Sequence, residues 1–299
     1  MKVLITGAYG LLGYKLVQLL SSQSDVQAIA TGRRAISDLP ENVSFYVMDI
    51  TDPVQTEQVV SQVKPAVIIN TAAMTQVDDC ENDHDRCWAA NVTGVENLIE
   101  ACAKNKTQLV HVSTDFIFDG SHGPLEETAI PKPVNFYGES KLAAENVLQQ
   151  SSITWAILRT VLVYGVTPDM SRSNIVLWVK KSLEDGKNIN VVNDQWRTPT
   201  LAEDLAMGCL LAATKKATGI YHISGQEMMT PYDIAIQTAD FFNLDKSLIH
   251  ATDSGKFKQP AARPLKTGFI ITKAKQELGY QPHSFKDGLA LMASQIQEL

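Results

Sequence analysis

Tyr137 and Lys141, four residues apart in the run Asn-Phe-Tyr-Gly-Glu-Ser-Lys-Leu-Ala-Ala-Glu from Asn135 to Glu145, are side chains whose types and spacing suit proton transfer. On a helix beginning at Phe136 this spacing puts both on one face, with an ammonium beside a phenol. A phenol ordinarily titrates at ~10, and a neighbouring cation favours the ionised form and lowers that value. Tyr137 would then act as a general acid or base near neutral pH. An amphipathic surface helix offers the same spacing with Lys141 merely solvated, so the surrounding elements must decide between the two.

The chain opens with an element such a site needs. Lys2 to Thr6 is a short apolar, β-branched run, followed at once by Gly7-Ala-Tyr-Gly10-Leu-Leu-Gly13 and a helical pattern to about Leu20. This is strand, glycine-rich turn, helix. Gly7 permits the tight turn, Gly10 lets backbone approach a pyrophosphate, and Gly13 lets helix and strand pack closely. Unpaired N–H groups at the helix start would face the anion, so Gly7, Tyr9, Gly10, Leu11 and Leu12 are candidate dinucleotide contacts. The spacing is Gly-x-x-Gly-x-x-Gly rather than the commoner Gly-x-Gly-x-x-Gly.

The second predicted strand, Val26 to Thr31, ends in Thr31-Gly32-Arg33-Arg34 with no acid. A carboxylate there would hold the ribose 2′-hydroxyl of NAD, whereas Arg33 and Arg34 suit a 2′-phosphate through charge-assisted contacts. NADP(H) is therefore favoured and NAD(H) left open. Val43 to Val47 is a third strand leading to Asp49 and Ile50, placed to read the adenine edge, and Asp52 with Pro53 and Gln55 marks a helix start. Ala66 to Asn70 is a strand that runs into Thr71, Ala72 and Ala73, small enough for a cofactor to lie against backbone.

Helix from about His84 to Lys104, strand Gln108 to Ser113, helix Phe136 to Gln150 and strand Ile153 to Arg159 continue the alternation. The fold class expected is α/β: a doubly wound parallel Rossmann sheet covered on both faces, with ligands at the carboxyl ends of its strands. That edge gathers the glycine turn, Arg33, Asp49, Ala72 to Thr75, Ser113 to Asp115 and the start of the Tyr137 helix. Beyond Arg159 the pattern loosens. Pro168 to Ser173 is polar, Ile189 to Val192 a short strand, Thr200 with Glu203 and Thr230 with Asp233 are capping boxes, and Asp253 to Lys266 a loop able to cover a ligand. The expected division is a cofactor-binding domain at 1–164, with 190–226 returning to it, and a smaller discontinuous substrate-binding part at 165–189 and 227–299.

Composition narrows the function. A net charge of −7 and a pI of 5.4, with no Lys/Arg-rich run, argue against a nucleic-acid surface. No apolar stretch approaches the ~20 residues of a membrane helix, and the N-terminus makes a poor signal peptide. Cys80, Cys87, Cys102 and Cys209 show no metal-ligand spacing and suit free buried thiols. A cytoplasmic protein with no bound metal is expected.

With these motifs placed, the chain resembles the extended short-chain dehydrogenase/reductases, and within them the dTDP-4-dehydrorhamnose reductases and their sugar-nucleotide-binding relatives. The glycine turn, Asn70 to Ala73, Asn91-Val-Thr-Gly94, Ser113-Thr-Asp-Phe-Ile-Phe-Asp-Gly120, Tyr137-Gly-Glu-Ser-Lys141 and Asp194-Gln195 carry the resemblance over nearly the whole length. It implies that Tyr137 protonates the keto oxygen of a nucleotide-linked sugar. It also implies that Lys141 binds the nicotinamide ribose and lowers the Tyr137 pKa, that Thr114 bonds the reacting oxygen, and that Asp115 and Thr75 orient the sugar. Phe116 stands where the related dehydratases carry a glutamate, which argues against dehydration. Lys15 replaces a glutamate that some members link to magnesium-assisted dimer contacts, so no metal is expected, and a homodimer is left open. Trp196-Arg197 departs from the family pattern, and Arg197 and Arg263 are placed to meet a diphosphate. Two alternatives stand beside the reductase: a binding subunit resembling the β subunit of methionine adenosyltransferase, and a reductase or epimerase of another nucleotide sugar.

Overall fold

The computed structural model describes residues 1–35, 39–168, 174–256 and 259–298. Most of the polar stretch expected at 168–173, and positions 257–258 of the loop expected at 253–266, lie outside the described residues. The strands are β1 (Lys2–Thr6), β2 (Gln27–Gly32), β3 (Ser44–Val47), β4 (Val67–Asn70), β5 (Gln108–Thr114), β6 (Trp155–Thr160), β7 (Val163–Tyr164), β8 (Ile189–Val192), β9 (Thr200–Leu201), β10 (Gly219–His222) and β11 (Ile249–Thr252). Among the described residues, seven of them pair in parallel in the order β10-β6-β5-β4-β1-β2-β3. This is the doubly wound arrangement, with the reversal of strand order between β1 and β4.

The helices are α1 (Leu11–Ser21), α2 (Pro53–Val63), α3 (Val77–Asn82), α4 (His84–Trp88), α5 (Gly94–Asn105), α6 (Phe136–Gln150), α7 (Ile175–Glu184), α8 (Ala202–Thr214), α9 (Pro231–Phe241) and α10 (Phe285–Glu298). Side chains of a strand alternate between faces, and both faces of this sheet are apolar. Val3, Ile5, Val67, Ile69, Ala156 and Leu158 pack with residues of α1 and α8. Leu4, Ile68, Leu109 and Ile157 pack with residues of α2, α5 and α6 on the other face.

Local starts follow their sequence signals in part. Asp52 accepts hydrogen bonds from the amides of Val54 and Gln55 to start α2, and Thr230 and Asp233 form a reciprocal box at α9. The box expected at Thr200 and Glu203 does not form. Thr200 Oγ1 donates to the Val161 carbonyl, and Glu203 pairs with Lys15 at 2.8 Å, tying α8 to α1. The single helix expected from His84 to Lys104 is interrupted by a π turn, Ala89–Thr93, between α4 and α5.

The return of the chain to the large sheet also differs. β8, expected to begin it, pairs instead with β11 in a separate two-stranded sheet, beside α7 and α9. The return is made by α8 and β10, the latter adding the edge strand next to β6. Among the described residues no helix is long and apolar enough to cross a membrane.

A buried ion pair fixes α6 against the sheet. Arg159 on β6 and Glu145 on α6 have side chains 3% and 0% exposed, with Arg159 Nη2 2.7 Å from Glu145 Oε2 and Nε bonded to the same carboxylate. Removing the acid strands a guanidinium in the core. Glu145→Ala is expected to cost about 3–5 kcal/mol in urea unfolding, and a loss below about 1 kcal/mol would show that the pair does not hold the helix.

Candidate active site

The glycine turn is built for close approach. Gly7 has φ +66°, and a Cβ there would lie 2.9 Å from the Ala72 backbone; a Cβ at Gly13 would lie 2.3 Å from the Gly7 carbonyl oxygen. The amide of Gly10 closes the turn on Gly7 O at 2.9 Å. No side chain caps α1, so its first amides, Leu11 and Leu12 among them, are left for an anion. Tyr9 lies across the end of β2, where a Cβ on Gly32 would come within 2.5 Å of its ring. The Arg34 guanidinium sits 5.4 Å from that ring, and Arg33 and Arg34 are exposed beside it. These residues fit a dinucleotide with a 2′-phosphate: glycine for the pyrophosphate, helix amides for its charge, and two guanidiniums at the ribose.

Farther along the edge, Ala72 donates its amide to Thr6 Oγ1 at 3.2 Å, which fixes the small-residue segment with Ala73. Asp49 and Ile50 stand at the end of β3, engaged in building the turn. The Asp49 carboxylate accepts from the Thr51 amide and hydroxyl at 3.0 and 2.8 Å, and the Ile50 carbonyl accepts from Asn97 at 2.8 Å.

Tyr137 and Thr114 meet where α6 docks on the end of β5. Asn135 caps α6 by accepting from the Gly138 amide at 2.8 Å, while its Nδ2 donates to the Ala262 carbonyl at 2.7 Å. The first turn lies so close to the Asp115–Ile117 turn that a Cβ on Gly138 would be 2.1 Å from Phe116 O. Tyr137 is consequently 8% exposed and edge-on to Phe116, with the Thr114 hydroxyl near its phenol. Thr114 Oγ1 accepts from the Phe116 amide at 3.2 Å and lies 3.3 Å from Asp115 Oδ1.

The electrostatics differ from the sequence expectation. Burial pushes the Tyr137 phenol up, the bond to Thr114 lowers it only in part, and Asp115 raises it further. Lys141 is not among the strongest influences on it. Its ammonium turns to the sheet, donating to the Val112 carbonyl at 2.8 Å and lying 3.2 Å from His111 Nε2. Burial draws Lys141 down to about 8, with Glu145 opposing. Desolvation thus overrides the cation effect expected from helical spacing, and Tyr137 is a protonated acid at neutral pH.

Other assignments shift with burial. Arg197, expected at a diphosphate, is 4% exposed and gives its guanidinium to the carbonyls of Trp196, Pro264 and Leu265, with Nε 3.5 Å from Asp115. These partners turn it to the protein interior. Asp115, expected to orient the sugar, is 2% exposed and bonded to Thr267 and Thr114, so it joins β5 to the 264–267 segment. Burial raises its pKa, opposed by Arg197. Thr75 is exposed on the segment between β4 and α3. Arg263 forms a fork with Asp78 on α3 at 2.6 and 2.8 Å and also borders a cavity of about 440 Å³ walled by Asn174, Trp178, Asn190 and Gln195.

Several site residues escaped sequence reasoning. Asn91, on the π turn, donates to Ser140 Oγ at 3.0 Å and brackets Met74 through its carbonyl and amide. Cys87, whose thiol is drawn down by its neighbour Cys80, donates to the same Ser140 Oγ at 3.4 Å. The Asn-Val-x-Gly segment was a signal for Asn91; nothing in the sequence marks Thr267 or Cys87.

A family model described as RmlD substrate binding domain matches residues 1–298. The dTDP-4-dehydrorhamnose reductase of Aggregatibacter actinomycetemcomitans is 32% identical over 303 residues, covering 96% of this chain and 97% of that protein. The methionine adenosyltransferase 2 subunit beta of Xenopus laevis is 34% identical over 251 residues, covering 82% of this chain and 73% of that protein. In structure, the chain superposes on the Bacillus anthracis dTDP-4-dehydrorhamnose reductase solved in complex with NADP with a TM-score of 0.85, at 27% identity, covering 98% of this chain and 99% of that one. Glycine cradle, parallel sheet and whole-length match agree: the chain belongs to the RmlD substrate binding domain family of extended short-chain dehydrogenase/reductases.

Proposed function

We propose that this NAD(P)-dependent oxidoreductase reduces the 4-keto group of a nucleotide-linked deoxysugar, with NADPH as the favoured donor and dTDP-4-dehydro-L-rhamnose as the leading substrate. The observation that carries the reading is the buried, protonated Tyr137 beside Thr114 at the carboxyl end of β5, on the sheet edge that also carries the glycine cradle. The cofactor supplies a hydride when bound. Gly7, Gly10 and the α1 amides bind its pyrophosphate, and Arg33 and Arg34 its 2′-phosphate.

The chain's own groups manage the proton. Hydride arriving at a carbonyl carbon builds charge on the oxygen, and a donor already in place lowers that barrier without reorganisation. Tyr137 O–H is such a donor, and its raised pKa keeps the proton in place until alkoxide forms. Thr114 aims the phenol and Lys141 adds positive charge nearby. We assign the nucleotide part of the substrate to the cavity bordered by Arg263, Trp178 and Asn190, walled by α7, β8 and the start of α9.

A second reading, a non-catalytic NADP-binding subunit, is favoured by the similarity to the methionine adenosyltransferase subunit. NADPH oxidation with candidate nucleotide-linked keto-sugars separates the two. Turnover is expected, with Tyr137→Phe lowering kcat by about 10²–10⁴ while NADPH still binds. NADPH bound with no sugar turned over would replace the reductase by the binding subunit. Arg33→Ala is expected to weaken NADPH by about 10-fold or more and leave NADH unchanged, and an equal effect on both would remove the 2′-phosphate assignment.

A further inference from the structure

Among the described residues that wall the cavity of about 440 Å³, Arg263 is the only charged one. The rest of the wall is apolar or neutral, with Trp178 offering an aromatic ring and Asn190 and Gln195 their amides. One cation in an uncharged wall selects a ligand with an anionic group, and a cavity of this size holds a small organic molecule. The direction of that cation is set from outside the cavity. Asp78 on α3 accepts from Arg263 Nη1 at 2.6 Å and Nη2 at 2.8 Å, and from the Ala261 amide at 3.2 Å. Nη1 also donates to the Ala261 carbonyl at 2.7 Å.

A guanidinium carries five N–H groups in one rigid plane. In Arg263 both hydrogens of Nη1 and the inner one of Nη2 are taken by Asp78 and Ala261. Nε–H and the outer Nη2 hydrogen run parallel along the side of the plane and have no partner among the described residues. That edge can hold two oxygens of a phosphate at once. The bonds from Arg263 keep the Asp78 carboxyl below its ordinary value, so it is an anion that only accepts. With side chains 16% and 37% exposed, the pair adds little stability, but its two parallel bonds fix the plane of the guanidinium. Asn135, the cap of α6, donates to the Ala262 carbonyl, so the residue before Arg263 is tied to the helix that carries Tyr137.

We propose that Asp78 is the positioning residue for Arg263: its carboxylate grips one edge of the guanidinium so that the other, Nε–H with Nη2–H, meets the diphosphate of a nucleoside diphosphate in the cavity. This rests on the assignment of the nucleotide part of the substrate to that cavity. The carboxylate has two opposed effects on such a ligand. Its charge weakens the pull on any anion, while its fork spares a long side chain the entropy of being ordered when the ligand binds. The two separate cleanly in neutral replacements of similar size. Asparagine and leucine remove the charge equally, but only asparagine keeps an oxygen that accepts from Nη1 and from the Ala261 amide.

Calorimetric titration of the full chain with dTDP, UDP, CDP and GDP finds the nucleoside diphosphate held most tightly, which then serves as the probe. Asp78→Leu is expected to bind it about 5- to 10-fold more weakly than Asp78→Asn, and the gap is expected to close in an Arg263→Ala background, where no guanidinium is left to aim. Equal affinities of the two variants, or a gap that persists without Arg263, would reduce Asp78 to a tie for residues 261–263. A wild type that binds none of the four would overturn the proposal outright. NADPH titration of each variant reports the folded glycine cradle, and Asp78→Ala repeats the comparison with a smaller side chain that also lacks the acceptor. With a keto-sugar that is turned over, the gap between Asp78→Leu and Asp78→Asn is expected in KM rather than kcat, as for binding shared by ground and transition states. If no keto-sugar is turned over while the gap and its dependence on Arg263 remain, the reductase reading falls and this proposal stands.

Discussion

The site depends on the approach of the first turn of α6 to the end of β5, where a Cβ on Gly138 would stand 2.1 Å from Phe116 O. A helix turn can lie that near a backbone carbonyl only where the side chain is a hydrogen. Because it does, Tyr137 points at Thr114 rather than at solvent, and desolvation keeps the phenol protonated. Behind the helix, the Glu145–Arg159 pair and the Lys141–His111 contact hold α6 to β6 and β5. The juxtaposition of Tyr137 and Thr114 is thus an outcome of backbone packing, with side-chain contacts keeping the helix from sliding.

A second set of contacts joins that point to the later part of the chain. Thr267 bonds Asp115, Arg197 binds the carbonyls of Pro264 and Leu265, Asn135 bonds the carbonyl of Ala262, and Arg263 forks onto Asp78. Residues 261–267 are thereby pinned from β5, from the start of α6 and from α3. The cavity bordered by Arg263 sits beside this clasp, so a substrate reaching from the cavity to Tyr137 would cross residues already fixed in place.

The sheet was readable because burial on both faces forces near-continuous apolar strands, and because Gly7, Gly10 and Gly13 announce a strand–turn–helix unit at its start. The α6 bounds, Phe136 to Gln150, coincide with the expectation. Burial of polar groups was not readable. Arg197 read as an anion ligand from its place in the departing Trp196-Arg197 pair, and two of its carbonyl acceptors, Pro264 and Leu265, lie far along the chain. The cation at helical spacing suggested a lowered Tyr137 pKa, whereas desolvation, which depends on the closed fold, raises it. β8 and β10 are equally short runs, and their different partners, β11 and β6, are not marked in their own residues. His111 was hidden for a similar reason: within a strand it resembles any core residue until its cross-strand partner is known.

The most direct test of the account is the turnover of Gly138→Ala, with NADPH affinity measured in parallel, on whichever nucleotide-linked keto-sugar the wild type reduces. The added methyl must push α6 off Phe116 and carry Tyr137 from Thr114. Displacement of a reacting group by about 1 Å can cost on the order of 10²-fold. The account requires a fall in kcat of about that size, with the glycine cradle still binding NADPH. A Gly138→Ala protein that turns over at the wild-type rate would contradict it.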